Sequence, residues 1–185
     1  MRSAPNFGTR WPRWMFITAV LMALPLASRA QKVSDQEVKA AYLYSFAKFV
    51  DWPAGAFSNG GAAIRICLFS GDPLEPNLKE IVRGKSVANH PVMVVDVQSP
   101  EESRTCHVLF VGAAQDGHRR QILEVLRGAW VLTVGDAPEF TSDGGIIQFV
   151  LYKDRIQFEV NHKAALDAQL NVSSRLLRVA RTVIE

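Results

Sequence analysis

From residue 34 onward, the apolar positions switch repeatedly between a helical period and short strand-like runs, and their order predicts the elements. Ser34 followed by Glu37 has capping-box spacing, and Pro53 is a stop, so residues 34–52 are predicted as a helix. "AIRICLFS" (63–70), "PVMVVDV" (91–97), "CHVLFVG" (106–112) and "AWVLTVG" (129–135) are short apolar runs that predict strands. Between them, "PNLKEIVRG" (76–84) and "DGHRRQILEVLRG" (116–128) predict helices and "SPEESRT" (99–105) a helical turn. "GIIQFVLYKDRIQFEV" (145–160) predicts a hairpin turning near Lys153 and Asp154, and helices are expected over 161–168 and 173–184.

The middle strands are apolar on both alternating sets of positions, as strands buried between two helix layers are. Strand–helix–strand alternation predicts an α/β three-layer sandwich. Its sheet is mostly parallel and doubly wound, with an antiparallel hairpin at one edge. The segment "KAAYLYSFAKFVDWP" (39–53) holds five aromatic rings. On a helical wheel Tyr42, Leu43, Phe46 and Phe49 share one apolar surface, which is the stripe a sheet-covering helix needs. Tyr44 and Trp52 fall outside that stripe and are candidates for contact with a protein partner, since aromatic rings are enriched at interfaces.

Before residue 34 the pattern is different. Arg2, Arg10 and Arg13 precede an apolar run over 14–26, and Ser28 and Ala30 stand where a signal peptidase reads small residues. A signal peptide over 1–30, cleaved after Ala30, is expected, leaving one domain over 31–185 in the periplasm. The leader changes the charge reading. The whole chain carries 21 Lys+Arg against 18 Asp+Glu. Four of those arginines lie in the leader, so the mature net charge is −1 and gives no reason to expect nucleic acid as a partner. No repeat and no low-complexity tract occurs, and "GAFSNGGAA" (55–63) reads as a loop.

Cys67 and Cys106 are the only cysteines. In an exported chain such a pair favours a disulfide; two buried thiols are the alternative. The four histidines have no metal-site spacing, and no GxSxG elbow, P-loop or GxGxxG occurs. Catalysis, a metal and a cofactor are therefore not expected. One pattern suggests a ligand. "LFSGDP", "LFVGAA" and "LTVGDAP" end three strands in Gly71, Gly112 and Gly135. Parallel strands would bring these glycines to the carboxyl edge of the sheet, where open α/β folds bind ligands. Ordinary strand-to-helix turns explain the same residues.

"VKAAYLYSFAKFVDWP", "TCHVLFVGAA", "VLTVGDAPEFTSDGGIIQFVLYKDRIQFEVN" and "LNVSSRLLRVA" occur in that order. In these motifs the chain resembles the YfiR-like family of exported bacterial proteins from about residue 37 to 180. The resemblance implies a periplasmic α/β regulator. Its best-known members bind the periplasmic portion of an inner-membrane GGDEF-domain diguanylate cyclase and repress it, lowering cyclic-di-GMP and restraining biofilm formation. An OmpA-like lipoprotein often completes that system, and other members sit beside receptors or kinases. The resemblance also places Cys67 and Cys106 where members can carry a disulfide. A second cysteine pair found in some members would lie around 145–160, where this chain has none. A homodimer is a further candidate assembly. The other function class is a periplasmic small-molecule-binding module of another sensor or transport system.

Overall fold

Strands whose alternate side chains are both apolar must be covered twice, and the architecture follows from that requirement. The computed structural model describes residues 34–57 and 62–185. The expected leader and its cleavage point lie outside the described residues, as do four positions of the 55–63 loop.

The first helix, α1 (Asp35–Lys48), opens with the expected capping box. The Ser34 hydroxyl accepts from the Glu37 backbone N–H at 3.2 Å, and the Glu37 carboxylate accepts from the Ser34 N–H at 2.9 Å. The helix ends one turn before Pro53. Val50–Asp51 (β1) leaves the helical path and later pairs antiparallel with Asn171–Val172. The chain then runs through β2 (Ile64–Phe69), α2 (Glu75–Val82), β3 (Ser86–Val87), β4 (His90–Val97) and β5 (Val108–Val111). It continues through α3 (Arg119–Val125), β6 (Leu132–Gly135), β7 (Ile147–Tyr152) and β8 (Arg155–Asn161). The last elements are α4 (His162–Asp167), β9 (Asn171–Val172), α5 (Ser174–Val179) and β10 (Thr182–Ile184).

Eight strands form the main sheet in the order β10-β8-β7-β6-β5-β2-β4-β3. The five central strands, β7, β6, β5, β2 and β4, are mutually parallel, β8 returns antiparallel to β7, and β3 closes the far edge antiparallel to β4. Helices lie on both faces, so the three-layer expectation holds. The hairpin turns at Lys153 and Asp154, both with positive φ, as a two-residue hairpin loop requires.

Residue alternation divides the interior into two cores. Ile64, Ile66 and Leu68 of β2 and Val108 and Phe110 of β5 face the larger core, with Leu43, Phe46 and Ala47 of α1. Cys67, Phe69, Leu109 and Val111 face the smaller one, with Ile122 of α3 and Phe140. The expected aromatic stripe of α1 is real packing: Phe46 lies 5.7, 5.8 and 5.0 Å from the ring centroids of Tyr42, Phe149 and Phe158.

Two segments depart from expectation: Val50–Asp51 is strand rather than the end of the helix predicted over 34–52, and the last predicted helix is cut short. The predicted helix over 173–184 breaks after Val179, because Ala180 turns extended and the Arg181 N–H donates to the Phe158 carbonyl. The β-branched run Thr182–Ile184 then pairs parallel with β8. The edge beyond the hairpin therefore carries one more strand than expected.

Candidate functional site

The carboxyl edge of the sheet gathers charge at one place. From β2 the chain crosses through α2 to β4 on one side. From β5 it crosses through α3 to β6 on the other. The order reverses between the neighbours β2 and β5, which makes their carboxyl ends a topological switch point, where open α/β folds bind ligands. Gly71 and Gly112 follow those two strands and Gly135 ends β6, so the three glycines do come to one edge.

At Gly135 the edge is occupied. A Cβ on Gly135 would meet the Phe140 ring at 2.5 Å, so the space the sequence reading left for a ligand is filled by an aromatic side chain. We expect Gly135→Ala to cost about 1–3 kcal/mol by overpacking, measurable as a lower denaturation midpoint. An unchanged midpoint would show that Phe140 moves freely. Gly112 is different: its missing Cβ leaves room for the Asp72 carboxylate, whose Oδ2 would stand 2.6 Å from such an atom.

Around that gap lie Asp72, Asp136 and Lys39. Lys39 of α1 reaches Asp136 at 2.6 Å, and both side chains are largely buried. The other Asp136 oxygen, Oδ1, is buried without a hydrogen-bond partner among the described residues. Asp72 accepts from the Leu74 N–H at 2.9 Å. Burial pushes the Asp72 carboxyl above the usual carboxylate range; the Leu74 bond opposes this, and the nearby Asp136 charge adds to it. The folded state thus disfavours the Asp72 charge. That penalty is present above the raised folded value and is relieved as pH falls through it toward the unfolded value of 3.8. Asp72→Asn keeps the Leu74 acceptor and removes the charge. A thermal melt at pH 7 should show a higher Tm, a gain that shrinks as pH approaches 4; a lower Tm at pH 7 would contradict the burial argument.

The amino edge is aromatic. The Phe57 ring is stacked between His90, at 4.0 Å, and His107, at 4.8 Å. His107 Nδ1 accepts from the Arg65 N–H, and Nε2 donates to the Ala56 carbonyl. Burial pushes His107 below its ordinary value, so the folded protein holds it neutral. That contribution to stability is complete above about pH 6.5 and is lost as pH falls from there through the depressed folded value. A denaturation midpoint that falls between pH 7.5 and 5.5 should fall less in His107→Asn.

Cys67 and Cys106 are joined in a disulfide, with Cα atoms 5.9 Å apart. Tyr44 and Trp52, offered as partner contacts, are both half-buried and pack against the larger core. The Trp52 indole N–H is engaged by the Trp130 carbonyl at 3.1 Å. Among the described residues no group of three or more His, Cys, Asp or Glu side chains could hold a metal ion, and no helix is long and apolar enough to cross a membrane. Sequence reasoning missed the Lys39–Asp136 pair. Its members are 97 residues apart, and only the folding of α1 over the β6 end joins them.

The family model described as YfiR/HmsC-like matches residues 36–181. The chain belongs to the YfiR/HmsC-like family. That family consists of regulatory rather than catalytic proteins of the periplasm, associated with membrane diguanylate cyclases. The comparison with curated proteins gives no match. Among solved structures, a conserved domain protein from Vibrio cholerae O1 biovar El Tor is similar at 12% identity with a TM-score of 0.54. The alignment covers 82% of this chain and 60% of that one, and shows likeness of fold alone. The ABC domain in complex with L-Trp from Streptococcus pneumoniae gives 12% identity and a TM-score of 0.49, over 66% of this chain and 55% of that one. That likeness is too slight to bear on fold or ligand. The chain spans less than two thirds of either structure's length.

Proposed function

We propose that this protein represses an inner-membrane GGDEF-domain diguanylate cyclase by binding its periplasmic portion, which lowers cyclic-di-GMP and biofilm formation. In this reading residues 1–30 direct export and are removed after Ala30, and 31–185 act as one domain. Membership of the YfiR/HmsC-like family over nearly all of that domain carries the proposal. The disulfide supports it, because disulfides persist in oxidising compartments such as the periplasm.

Repression by occupancy requires different affinities for the active and inactive cyclase. A preference of about 100-fold, roughly 2.7 kcal/mol, lowers activity substantially from an even balance. Tyr44 and Trp52 can contribute only the exposed parts of their rings. The C-terminal edge offers more apolar surface: Val179 is 69% exposed and Ile184 37%, at the end of α5 and on the outermost strand β10. An OmpA-like lipoprotein of the same system, or a homodimer, would compete for or extend such a surface.

Pull-down with the mature chain from solubilised inner membrane should recover a GGDEF protein, and Val179→Asp should reduce the recovery. Deleting the gene should raise cyclic-di-GMP and surface attachment, and deleting the cyclase as well should abolish the rise. Unchanged cyclic-di-GMP when both proteins are expressed would overturn the reading.

A further inference from the structure

At the amino edge of the sheet a cleft of about 470 Å³ opens beside β2 and the turn that leads into β5. That volume lies in the range of small-molecule sites, about 300–1,000 Å³. Its permanently charged lining is of one sign. Arg65 and Arg104 enter it, and no described carboxylate does. Elsewhere on the molecule the arginines mostly face acids, as in Arg119 with Asp143, Arg127 with Glu124 and Arg181 with Glu159. The larger cleft, between α3 and α4, is lined by both signs, including the pair Lys163–Asp167.

Arg65 is held in place on several sides. Its backbone N–H donates to His107, its guanidinium donates to the Thr105 hydroxyl at 3.2 Å, and its strand is tied by Cys67 to Cys106. Its Nε is nevertheless buried with no hydrogen-bond partner among the described residues. A buried N–H without an acceptor is a cost that an incoming acceptor removes. Arg104 spends one N–H on the Val125 carbonyl, which leaves the rest of its donor fork to the cleft. His107 is held neutral, and Arg65 is close enough to contribute to that, so nothing in the lining cancels the two guanidinium charges. Thr105 and His107 add polar groups to the lining, and beside them two large apolar side chains stand open: Met93 is 46% exposed and Trp130 37%.

We propose that this cleft binds a small molecule carrying a carboxylate or phosphate on a flat apolar body. Arg65 and Arg104 take the oxyanion, because guanidinium forks match both groups. Trp130 and Met93 cover the apolar body. The site stands apart from the repression proposed above: it uses neither Val179 nor β10, and its test needs no cyclase.

The test is calorimetric titration of the purified mature chain with phenyl phosphate, benzoate, inorganic phosphate and the neutral analogue benzamide. We expect phenyl phosphate or benzoate to bind, with inorganic phosphate at least about tenfold weaker and benzamide weaker still. Raising the salt from about 0.05 M to about 0.5 M should weaken binding further, since screening acts on the ion pair. Arg104→Gln, at an exposed position, should weaken the bound probe at least about tenfold while leaving the denaturation midpoint close to that of the wild type. Arg65→Gln should do the same. Arg120→Gln, on the exposed face of α3, should change nothing. If Arg65→Gln fails to fold, Arg104→Gln decides. Absence of binding by both aromatic anions, benzamide binding as well as benzoate, or affinity unchanged in Arg104→Gln would each overturn the proposal.

Discussion

Replacing Cys67 with serine should lower the unfolding free energy by about 2–4 kcal/mol, the largest effect expected outside the main aromatic core. The bridge closes 39 residues of sequence and joins β2 to the residue that leads into the neighbouring strand β5. In the unfolded chain it removes the loop-closure entropy that a free 39-residue segment would have, which the chain-entropy model sets near 4 kcal/mol. Cys67 is fully buried in the smaller core, so the serine hydroxyl adds a polar burial cost. A domain of this size has a total stability of about 5–15 kcal/mol, so the loss is a large share of it. Urea denaturation of the oxidised wild type, the reduced wild type and Cys67→Ser measures it. Reduction should move the midpoint almost as far as substitution, and thiol titration of the native oxidised protein in denaturant should find almost no free thiol. Midpoints that coincide before and after reduction would contradict the argument.

Phe46→Ala should cost about 3–5 kcal/mol, because the deleted ring leaves a cavity that its neighbours cannot close. Phe46 has no exposed surface, and it packs between α1 and the hairpin rings Phe149 and Phe158. Tyr42, Phe149 and Phe158 are held by separate elements, one helix and two paired strands, so collapse into the space would require the helix and sheet to shift together. Near-ultraviolet circular dichroism should weaken in the same variant, since the stacked and edge-on rings lose a common neighbour. A Phe46→Leu variant, closer in volume, should recover part of the loss. A Phe46→Ala cost below about 1 kcal/mol would mean that this cluster is not the anchor of α1.

Much of the fold was legible along the chain. The Ser34–Glu37 cap is a contact between near neighbours, and the Lys153–Asp154 turn is set by two residues between alternating runs. Both depend on local backbone preferences, which sequence carries directly. The central strands were readable because two-sided burial leaves a continuous apolar run, and the family resemblance rested on motifs spread over the same segments. The end of α1 and the last element were read less well. Whether Val50–Asp51 and Thr182–Ile184 are helix or strand depends on a free edge being present: β9 for the first and β8 for the second. No local preference reports such an edge.

The sites divide in the same way. The cysteine pair was identifiable from compartment and count, while its closure needed β2 and β5 to be neighbours. The three glycines were identifiable as strand ends, but only the tertiary structure fills the space at Gly135 with Phe140 and sets Asp72 against Gly112. Lys39 with Asp136, and Arg65 with Arg104, acquire meaning from the order of strands in the sheet. By itself, then, the sequence determined the types of the central elements, the two-sided burial of the sheet and the family. The tertiary structure alone decided which charges meet, which glycines stay open and which edge remains unpaired. The physical reason is range: propensity, capping and periodicity act over a few residues, whereas these contacts join segments up to 97 residues apart and exist only after the sheet has formed.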